Sequence, residues 1–241
     1  MNLKLLACET FTREICACME GLPHTVDLEF TAIDLHDHPD ALRKQLQEKI
    51  DAEEQSGREY DAVLLCYGLC GNATAGLIAR SVQLVIPRAH DCCTILLGSK
   101  HEFKRHFESC PSQAFLSRGH IERNSGAHVH HLWVKAPEER KTALAKMYGD
   151  ENAESLIRAM NPPDSNRIVY ISIKPTESSE CIRICKEKAD KEKKEYLQID
   201  GSLALIRNLM SGNWYADDFL IVKPGKKIVG VYDWDTIIQS S

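Results

Sequence analysis

Cysteine, histidine and aspartate residues follow the apolar runs of this chain, and their side chains are common metal ligands. Cys8 ends the apolar run at the start of the sequence, and Cys70 follows the run "AVLLC" after the spacer "YGL". A further run, "QLVIP", leads into "RAHDCC", which contains His90, Asp91 and Cys92. Thiolates and imidazoles bind zinc, and thiolates also hold iron–sulfur clusters. These residues therefore indicate a metal site if the fold brings them together.

The apolar runs that precede these residues predict buried strands, and the segments between them predict helices. Four strands are expected, in "NLKLLAC", "TVDLEFTAIDL", "YDAVLLCYG" and "VQLVIPRAHD". Between the second and the third, Leu42, Leu46 and Ile50 share one face of an amphipathic helix. Helices are also expected at residues 10–20, in "TAGLIAR" and in "CCTILLGSKHEFKRHFES". This alternation predicts an α/β fold with an open, mostly parallel sheet and helices on both faces.

The second half of the chain is expected to form a smaller α/β half. Strands are predicted in "QAFLS", "HLWVK" and "RIVYISI", and helices in "ERKTALAKMYGDENAESLIRAM", "SSECIRICKEKADKEKKEYL" and "GSLALIRNLMSGNW". The segment "DFLIVKPGKKIVGVYDW" predicts a C-terminal hairpin that turns at Pro224 and Gly225. We expect residues 1–110 to form a βα domain with the Cys/His site and residues 111–241 to pack on it. Two Rossmann-like halves are one arrangement, and a single continuous domain is the alternative.

Three thiols are predicted to meet at one edge of the first sheet. Cys8, Cys70 and Cys92 follow the first, third and fourth strands, and ligands of open parallel sheets bind beyond the carboxyl ends of the strands. Each thiol is also expected to precede a helix, whose amino end favours the thiolate. The alternative is three inert thiols buried at strand–helix junctions.

This set of donors suits Zn²⁺ with a histidine or water as fourth ligand, or a [4Fe–4S] cluster with one non-cysteine corner. His90 is the expected fourth ligand. Asp91 and His90 are expected to be the catalytic residues that manage protons. Binding of the substrate or of an anion is assigned to four residues of the same loops, namely Arg88, Tyr67, Gly71 and Asn72.

The remaining cysteines are predicted to be packing residues. Cys66 alternates into the core of its strand. Cys16 and Cys18 lie two apart in a helical stretch and face different sides, which makes them poor joint ligands. Cys181 and Cys185 share a helix face, and such a face is usually buried.

Two groups of histidines have open interpretations. His128, His130 and His131, in "HVHH", resemble metal ligands, but they lie in a polar stretch where solvated side chains are equally expected. His36 and His38 follow the second strand, which places them on the same sheet edge as the thiols. Contact with the thiol site is a weaker prediction for them than for His90.

Composition excludes several classes of protein. The chain has 241 residues, of which 43% are hydrophobic and 27% charged, and its net charge of −5 argues against a nucleic-acid surface. No apolar run approaches the ~20 residues of a membrane span, and the start lacks the apolar centre of a signal peptide, so a cytoplasmic protein is predicted. Ten cysteines are too sparse for a disulfide scaffold. The phosphate loop, the dinucleotide glycine pattern and the Gly-x-Ser-x-Gly elbow are all missing from the sequence, which weakens kinase, dehydrogenase and hydrolase interpretations.

Four segments together resemble a known family: "LLACE", "YGLCGN", "PRAHDC" and "GNWYADDFLIVKPG". This combination is similar to the bacterial and archaeal domain-of-unknown-function family 1638 over nearly the whole chain. Ala73 stands where the family tends to have a glycine, and Cys93 where it has an aliphatic residue, which suggests that Cys93 is dispensable. The resemblance implies no reaction. It implies a setting, because such proteins are often encoded beside corrinoid proteins and methylamine-type methyltransferases in anaerobes.

Two functions follow as competing hypotheses. The first is a metal-dependent enzyme of corrinoid-linked methyl or one-carbon metabolism that acts on a small thiol or a methyl donor. The second is a non-catalytic corrinoid or metal carrier, or an accessory protein of a methyltransferase, with a corrinoid as a further candidate cofactor. A redox role for Cys70 and Cys92 is a third interpretation, and it requires two sulfurs close enough for a disulfide.

Overall fold

The computed structural model describes residues 1–53, 57–111, 113–123, 141–142, 144–146, 149–150, 153, 166–231 and 233–241. The predicted strand "HLWVK" and the histidines of "HVHH" lie outside these described residues, as does most of the predicted helix at 139–160. The strands are β1 (Asn2–Cys8), β2 (Thr25–Thr31), β3 (Ala62–Cys66), β4 (Gln83–Pro87), β5 (Phe115–Ser117), β6 (Arg167–Ser172), β7 (Glu195–Asp200), β8 (Phe219–Val222), β9 (Ile228–Gly230) and β10 (Ile238–Ser240). The α-helices are α1 (Thr12–Met19), α2 (Pro39–Glu53), α3 (Cys92–Leu97), α4 (Lys100–Phe107), α5 (Arg118–Glu122), α6 (Ser179–Glu192) and α7 (Ala204–Met210).

The contacts divide the chain into two compact units. The first comprises Met1–Lys104 together with Ser202–Ser241, and the second comprises Arg105–Gly201. Residues 202–241, assigned to the second half on sequence grounds, thus join the first unit, because β8 pairs with β4.

The first unit contains a mostly parallel five-stranded sheet in the order β2-β1-β3-β4-β8. The first four of these strands are parallel, and β8 is antiparallel to β4. Leu42, Leu46 and Ile50 of α2 pack against one face, in a cluster with residues of β1, β3 and β4. On the other face, α7 contacts α1, β3 and β4. The predicted α/β fold with helices on both faces is confirmed.

The predicted helix in "TAGLIAR" is wrong. Residues 74–80 form turns and an extended segment whose backbone pairs with residues 225–228. The Gly76 amide donates to the Ile228 carbonyl at 2.8 Å, and the Ile228 amide donates to the Leu77 carbonyl at 2.9 Å. Gly76 has a φ of 92°, which is incompatible with a right-handed helix. Long-range pairing therefore decides the structure of this segment.

The C-terminal hairpin lies later in the chain than the sequence indicated. The expected turn exists, since the Lys226 amide donates to the Lys223 carbonyl at 3.0 Å and Gly225 has a φ of 77°. However, β8 joins the main sheet, and the antiparallel hairpin consists of β9 and β10.

Gly98 divides the long helix predicted after Cys92 into α3 and α4. It has a φ of 83°, and its amide donates to the carbonyls of Thr94 and Ile95 at 3.1 Å. A left-handed glycine at this position is a common helix terminator. As a result, the helix that begins at Cys92 has only six residues.

The second unit contains a three-stranded parallel sheet in the order β5-β6-β7. Helix α6 packs on it through Cys181 and Cys185, which are buried with Tyr170 of β6. Strand β7 begins inside "EKKEYL", the end of a predicted helix, because Lys193 adopts a left-handed conformation and ends α6. No helix among the described residues is both long and apolar enough to cross a membrane.

Candidate functional site

The structure brings the three predicted thiols to the carboxyl edge of the first sheet. Cys8 is the last residue of β1, Cys70 lies four residues beyond β3, and Cys92 begins α3 after β4. Strands β1, β3 and β4 are neighbours and parallel, so their ends lie side by side. Cys70 is 5% exposed and Cys92 is 8% exposed.

The electrostatics of the thiols show that all three pairs interact. Burial raises the pKa of Cys8 to about 12, and burial also raises the pKa values of Cys70 and Cys92. In addition, Cys8 raises the pKa of Cys70, and both of them raise the pKa of Cys92. Without a cation, all three sulfurs are therefore protonated near neutral pH.

Backbone hydrogen bonds join the two loops that carry Cys70 and Cys92. The Leu69 amide donates to the Ala89 carbonyl at 2.8 Å, and the Cys70 amide donates to the His90 carbonyl at 2.9 Å. Gly68 makes this approach possible, since a Cβ at that position would lie 2.6 Å from the backbone nitrogen of Asp91. The relative position of the two thiols is thus fixed by main-chain contacts.

Cys70 lies in a strained turn. Its φ is 46°, and the next two residues, Gly71 and Asn72, follow with φ of 62° and 71°. Glycine and asparagine tolerate the left-handed region, whereas cysteine rarely adopts it. A thiol therefore occupies a position where glycine would be relaxed.

The expectation that each thiol precedes a helix holds only in part. Cys8 precedes a 3-10 turn at Glu9–Phe11 that continues directly into α1, Cys92 is the first residue of the short α3, and no helix directly follows Cys70. At Cys70, backbone hydrogen bonds from Gly68 and Cys92 lower the pKa against the larger effect of burial. A similar bond from Thr10 acts on Cys8.

Asp91 connects the thiols to two histidines. Its side chain caps α3 by accepting the Thr94 amide at 3.2 Å, and burial raises its pKa. Its charge raises the pKa values of Cys70 and Cys92, while His36 and His90 lower the pKa of Asp91. His36 lies in the 3-10 helix Ile33–Asp37 after β2, and its contact with the thiol site stays a prediction.

His90 lies among aromatic rings. Its ring centroid is 5.6 Å from that of Phe103 and 5.5 Å from that of Trp234, the latter in an edge contact. Its Nε2 atom is buried and has no hydrogen-bond partner among the described residues. Burial lowers the pKa of His90, so the imidazole is neutral near pH 7. Its assignment as fourth metal ligand stays a prediction.

A pair of hydroxyl groups lies beside the thiols. The Tyr67 Oη and Thr31 Oγ1 atoms are 2.6 Å apart and buried. Burial raises the pKa of Tyr67, and the nearby Cys8 and Cys70 raise it further. Sequence reasoning selected Tyr67 but missed Thr31, whose position opposite β1 follows only from the strand register.

The other predicted binding residues hold the loops in place. Arg88 donates from Nε to the Ala216 carbonyl at 2.9 Å and from Nη1 to the carbonyls of Thr236 and Ile238, at 2.8 and 2.5 Å. The Asn72 carbonyl accepts Arg43 Nη2 at 2.7 Å. A Cβ on Gly71 would lie 3.6 Å from the Pro39 ring. Their roles toward a substrate or an anion stay predictions.

Comparison with known proteins places the chain in a family. Residues 30–210 match the model of a family described as "Protein of unknown function (DUF1638)". The chain belongs to this family. No curated protein and no solved structure matches the chain. The DUF1638 match includes Cys70, Asp91 and Cys92 and extends over parts of both units.

Of the five cysteines of this DUF1638 protein for which packing was predicted, all but Cys16 are buried. Cys66 is fully buried in β3, and Cys181 and Cys185 are part of the core of the second unit. Cys18 is buried on α1, while Cys16 is exposed. Cys93 is also buried, at 1% exposure.

The donor set of the DUF1638 site is chemically suited to a soft cation, although the side chains are not arranged as a finished metal site. Within the described ranges, no group of three or more His, Cys, Asp or Glu side chains has metal-binding geometry. Three mutually interacting thiols with an adjacent carboxylate nevertheless match the ligands that zinc and iron–sulfur clusters take.

Proposed function

We propose that this DUF1638 protein is metal-dependent and that Cys8, Cys70 and Cys92 hold zinc or a [4Fe–4S] cluster. The observation that supports this is the position of three cysteines at the carboxyl ends of three neighbouring parallel strands, with the loops of Cys70 and Cys92 joined by backbone hydrogen bonds. Metal binding releases the thiol protons, and a bound cation would offset the cost of ionising three buried thiols. A redox thiol pair is less well supported, because a raised pKa leaves little of the reactive thiolate.

The backbone at Cys70 is a second support for the proposal. A left-handed residue with a side chain costs energy that glycine avoids, and such strain is concentrated at functional sites. The thiol of Cys70 is directed by this turn toward the loop of Cys92, whose amide contacts it. A metal-binding role accounts for a cysteine in this position.

We further propose an enzymatic role in corrinoid-linked methyl or one-carbon metabolism, which rests on the family resemblance. A bound metal would act as a Lewis acid toward a small thiol substrate or methyl donor. Asp91, close to two of the thiols and to both histidines, would accept or return the proton of that substrate. A corrinoid protein or a methyltransferase is the proposed partner, and the cytoplasm is the proposed location.

The decisive experiment is metal analysis with an absorption spectrum on protein purified without oxygen. The test variant carries Cys8→Ser, Cys70→Ser and Cys92→Ser, and the control carries Cys181→Ser and Cys185→Ser. Stoichiometric zinc, or iron with a broad visible absorption band, is expected in the wild type and the control but not in the test variant. Metal-free wild-type protein, or metal retained by the triple variant, would overturn the proposal.

The lability of the bound metal separates an enzyme from a carrier. An enzyme is expected to retain its metal through purification and during incubation with a weak chelator. A carrier or accessory protein is expected to release its metal to the chelator within minutes. Release without loss of folded structure, measured by circular dichroism, would favour the carrier function.

A further inference from the structure

A short loop near the C-terminus has a self-contained and strained structure. The Asp233 carboxylate accepts the amides of Asp235, Thr236 and Ile237 at 3.1, 2.6 and 3.1 Å. Ile237 has a φ of 60°, a left-handed conformation that is unusual for a β-branched residue. The loop is therefore a preformed piece of backbone, and Ile237 is a strained junction between it and β10.

Trp234 of this loop lies over His90. The Trp234 ring centroid is 5.5 Å from that of His90 and 6.0 Å from that of Phe103, and His90 and Phe103 are 5.6 Å apart. The three rings form one cluster beside the Cys92 loop. Trp234 and His90 are both partly exposed, and the ring contact covers part of His90, whose Nε2 atom is buried.

Two cationic side chains bond to carbonyl groups of the loop, whose last residue, Ile237, is fully buried in the core of the first unit. Lys100 Nζ donates to the Asp235 carbonyl at 2.9 Å and pairs with Asp217 at 2.8 Å, and its side chain is 7% exposed. Arg88 Nη1 donates to the Thr236 carbonyl at 2.8 Å. Asp233 and Asp235 are exposed, so water can replace these bonds if the loop lifts.

The closed loop leaves one polar atom without a partner. His90 Nε2 is buried and unbonded among the described residues, whereas buried polar atoms are almost always hydrogen-bonded. An atom of this kind indicates either a bound group or a state in which water reaches it. The same residue lies two positions before Cys92, next to the proposed metal site.

We propose that residues 233–236 form a lid over His90 that hinges at the buried Ile237, and that a small ligand of the thiol site hydrogen-bonds to His90 Nε2 when the lid opens. Only the identity of the ligand rests on the proposed function. The lid itself is a property of the polypeptide and can be tested on the protein as purified.

Hydrogen exchange followed by mass spectrometry, at increasing urea below the unfolding transition, tests the lid directly. Amides of residues 234–241 are expected to exchange through a local opening with weak urea dependence. Amides of β3 and β4 are expected to exchange only by global unfolding. If residues 234–241 exchange with the same urea dependence as β3 and β4, the segment is an integral part of the core and the lid is disproved.

Variants of the lysine contact test what the lid covers. Lys100→Met is expected to speed exchange of residues 234–241 on the order of tenfold, as for the loss of a hydrogen bond to a charged group. Lys44→Met is the control, because Lys44 is 79% exposed and should leave this peptide unchanged. Asp217→Asn, at an exposed position, supplies a milder variant if Lys100→Met fails to fold.

Carbethoxylation of histidines by diethyl pyrocarbonate gives the second readout. His90 is expected to react slowly in the wild type and faster in the Lys100 variant by the same factor as the amide exchange. His38, which is exposed and lies far from Lys100 in the sequence, is the internal reference and should react equally in both proteins. Faster loop exchange with an unchanged rate at His90 would show that the loop does not cover His90. The proteins are compared at equal metal content, because a metal bound to His90 would itself block the reagent. The exchange readout does not depend on metal, so it remains informative if the metal proposal fails.

Discussion

Two groups of buried or partly buried cysteines differ in their surroundings more than in their pKa values. Burial raises the pKa of Cys8, at the end of β1, and of Cys185, on α6, to about 12 in each case. Cys185 lies in an apolar cluster with Cys181 and Tyr170, on the inner face of a regular helix. Cys8 interacts with two thiols from other strand ends. A packing thiol and a candidate ligand thus share a pKa that burial raises. They differ in position, because only the candidate ligand lies at the edge of the sheet.

The backbone adds a second difference. Cys185 occupies an ordinary position inside α6, where its side chain fills the core. Cys70 occupies a left-handed turn at the edge of the buried cluster of the first unit, where a residue with a side chain is strained. Four predictions test whether this contrast between the two groups reflects function.

The largest effect is expected on metal content. Cys70→Ser removes one of three thiolate ligands and should abolish stoichiometric metal binding while the protein stays folded. Cys185→Ser should leave the metal content unchanged, because Cys185 lies in the separate core of the second unit. Elemental analysis with circular dichroism measures both properties. Equal metal loss in the two variants would show that Cys70 and Cys185 do not differ in metal binding.

Gly68→Ala should be the most destabilising single change in the first unit's loops. The added Cβ would lie 2.6 Å from the Asp91 nitrogen and 2.9 Å from the Ala89 carbonyl oxygen, both rigid backbone atoms. We expect a loss of about 3 kcal/mol in the free energy of unfolding, typical of overpacking, together with loss of metal. Urea unfolding measures this, and Gly225→Ala is the control. At Gly225 no atom lies within 4 Å of the added Cβ, so only the cost of its positive φ, about 1 kcal/mol, should appear.

Replacement by glycine should have opposite effects at the two kinds of thiol. Cys70→Gly should be more stable than Cys70→Ala by about 1 kcal/mol, because glycine relieves the left-handed strain. Cys185→Gly should be less stable than Cys185→Ala by about 1 kcal/mol, because glycine weakens a helix interior. Urea unfolding of the four variants in metal-free buffer gives the comparison. The same sign at both positions would show that Cys70 is not strained.

The smallest effect is expected on the pH dependence of stability in the second unit. Glu192 is 4% exposed and pairs with Lys188 and with Lys194, and these pairs lower its pKa although burial acts in the opposite direction. Its contribution to stability is complete above the unfolded pKa of about 4.3 and is lost as the pH falls through the lower folded pKa.

Glu192→Gln should therefore reduce the loss of local stability that acid causes in α6 and β7 below about pH 4.3. We expect a change of about 1 kcal/mol or less in the free energy of local opening, measured by amide exchange in α6 and β7. The exchange of amides in β3 should be unaffected. An acid response of α6 that is identical in the variant would show that the pairs do not stabilise the folded state.

The fold was largely predictable because four strands of the first sheet are apolar runs of the expected length. Strands β1, β3 and β4 are buried almost throughout, and such runs indicate parallel strands covered on both faces. The thiols were predictable for the same reason, since each follows a strand of one sheet. The carboxyl ends of parallel strands lie side by side at one edge of a sheet, so residues that follow neighbouring strands come close together.

What could not be predicted depends on contacts between distant segments. Residues 76–79 are extended because they pair with residues 225–228, and a local helix pattern carries no sign of that partner. The approach of His36 to Asp91 and the contact of Thr31 with Tyr67 depend on how β2 aligns with β1. The break at Gly98 was visible in the sequence, but the apolar pattern on both sides favoured a continuous helix.

The return of residues 202–241 to the first unit has a consequence for biosynthesis. Chains leave the ribosome from the amino end, so Cys8, Cys70 and Cys92 emerge before all of residues 105–201 and before β8. Until then β4 lacks its outer neighbour, and residues 76–79 lack the backbone partners that complete the Cys70 loop. The nascent chain therefore presents its thiols in an unfinished loop for most of translation, and the same interval leaves them open to metal delivery and to oxidation.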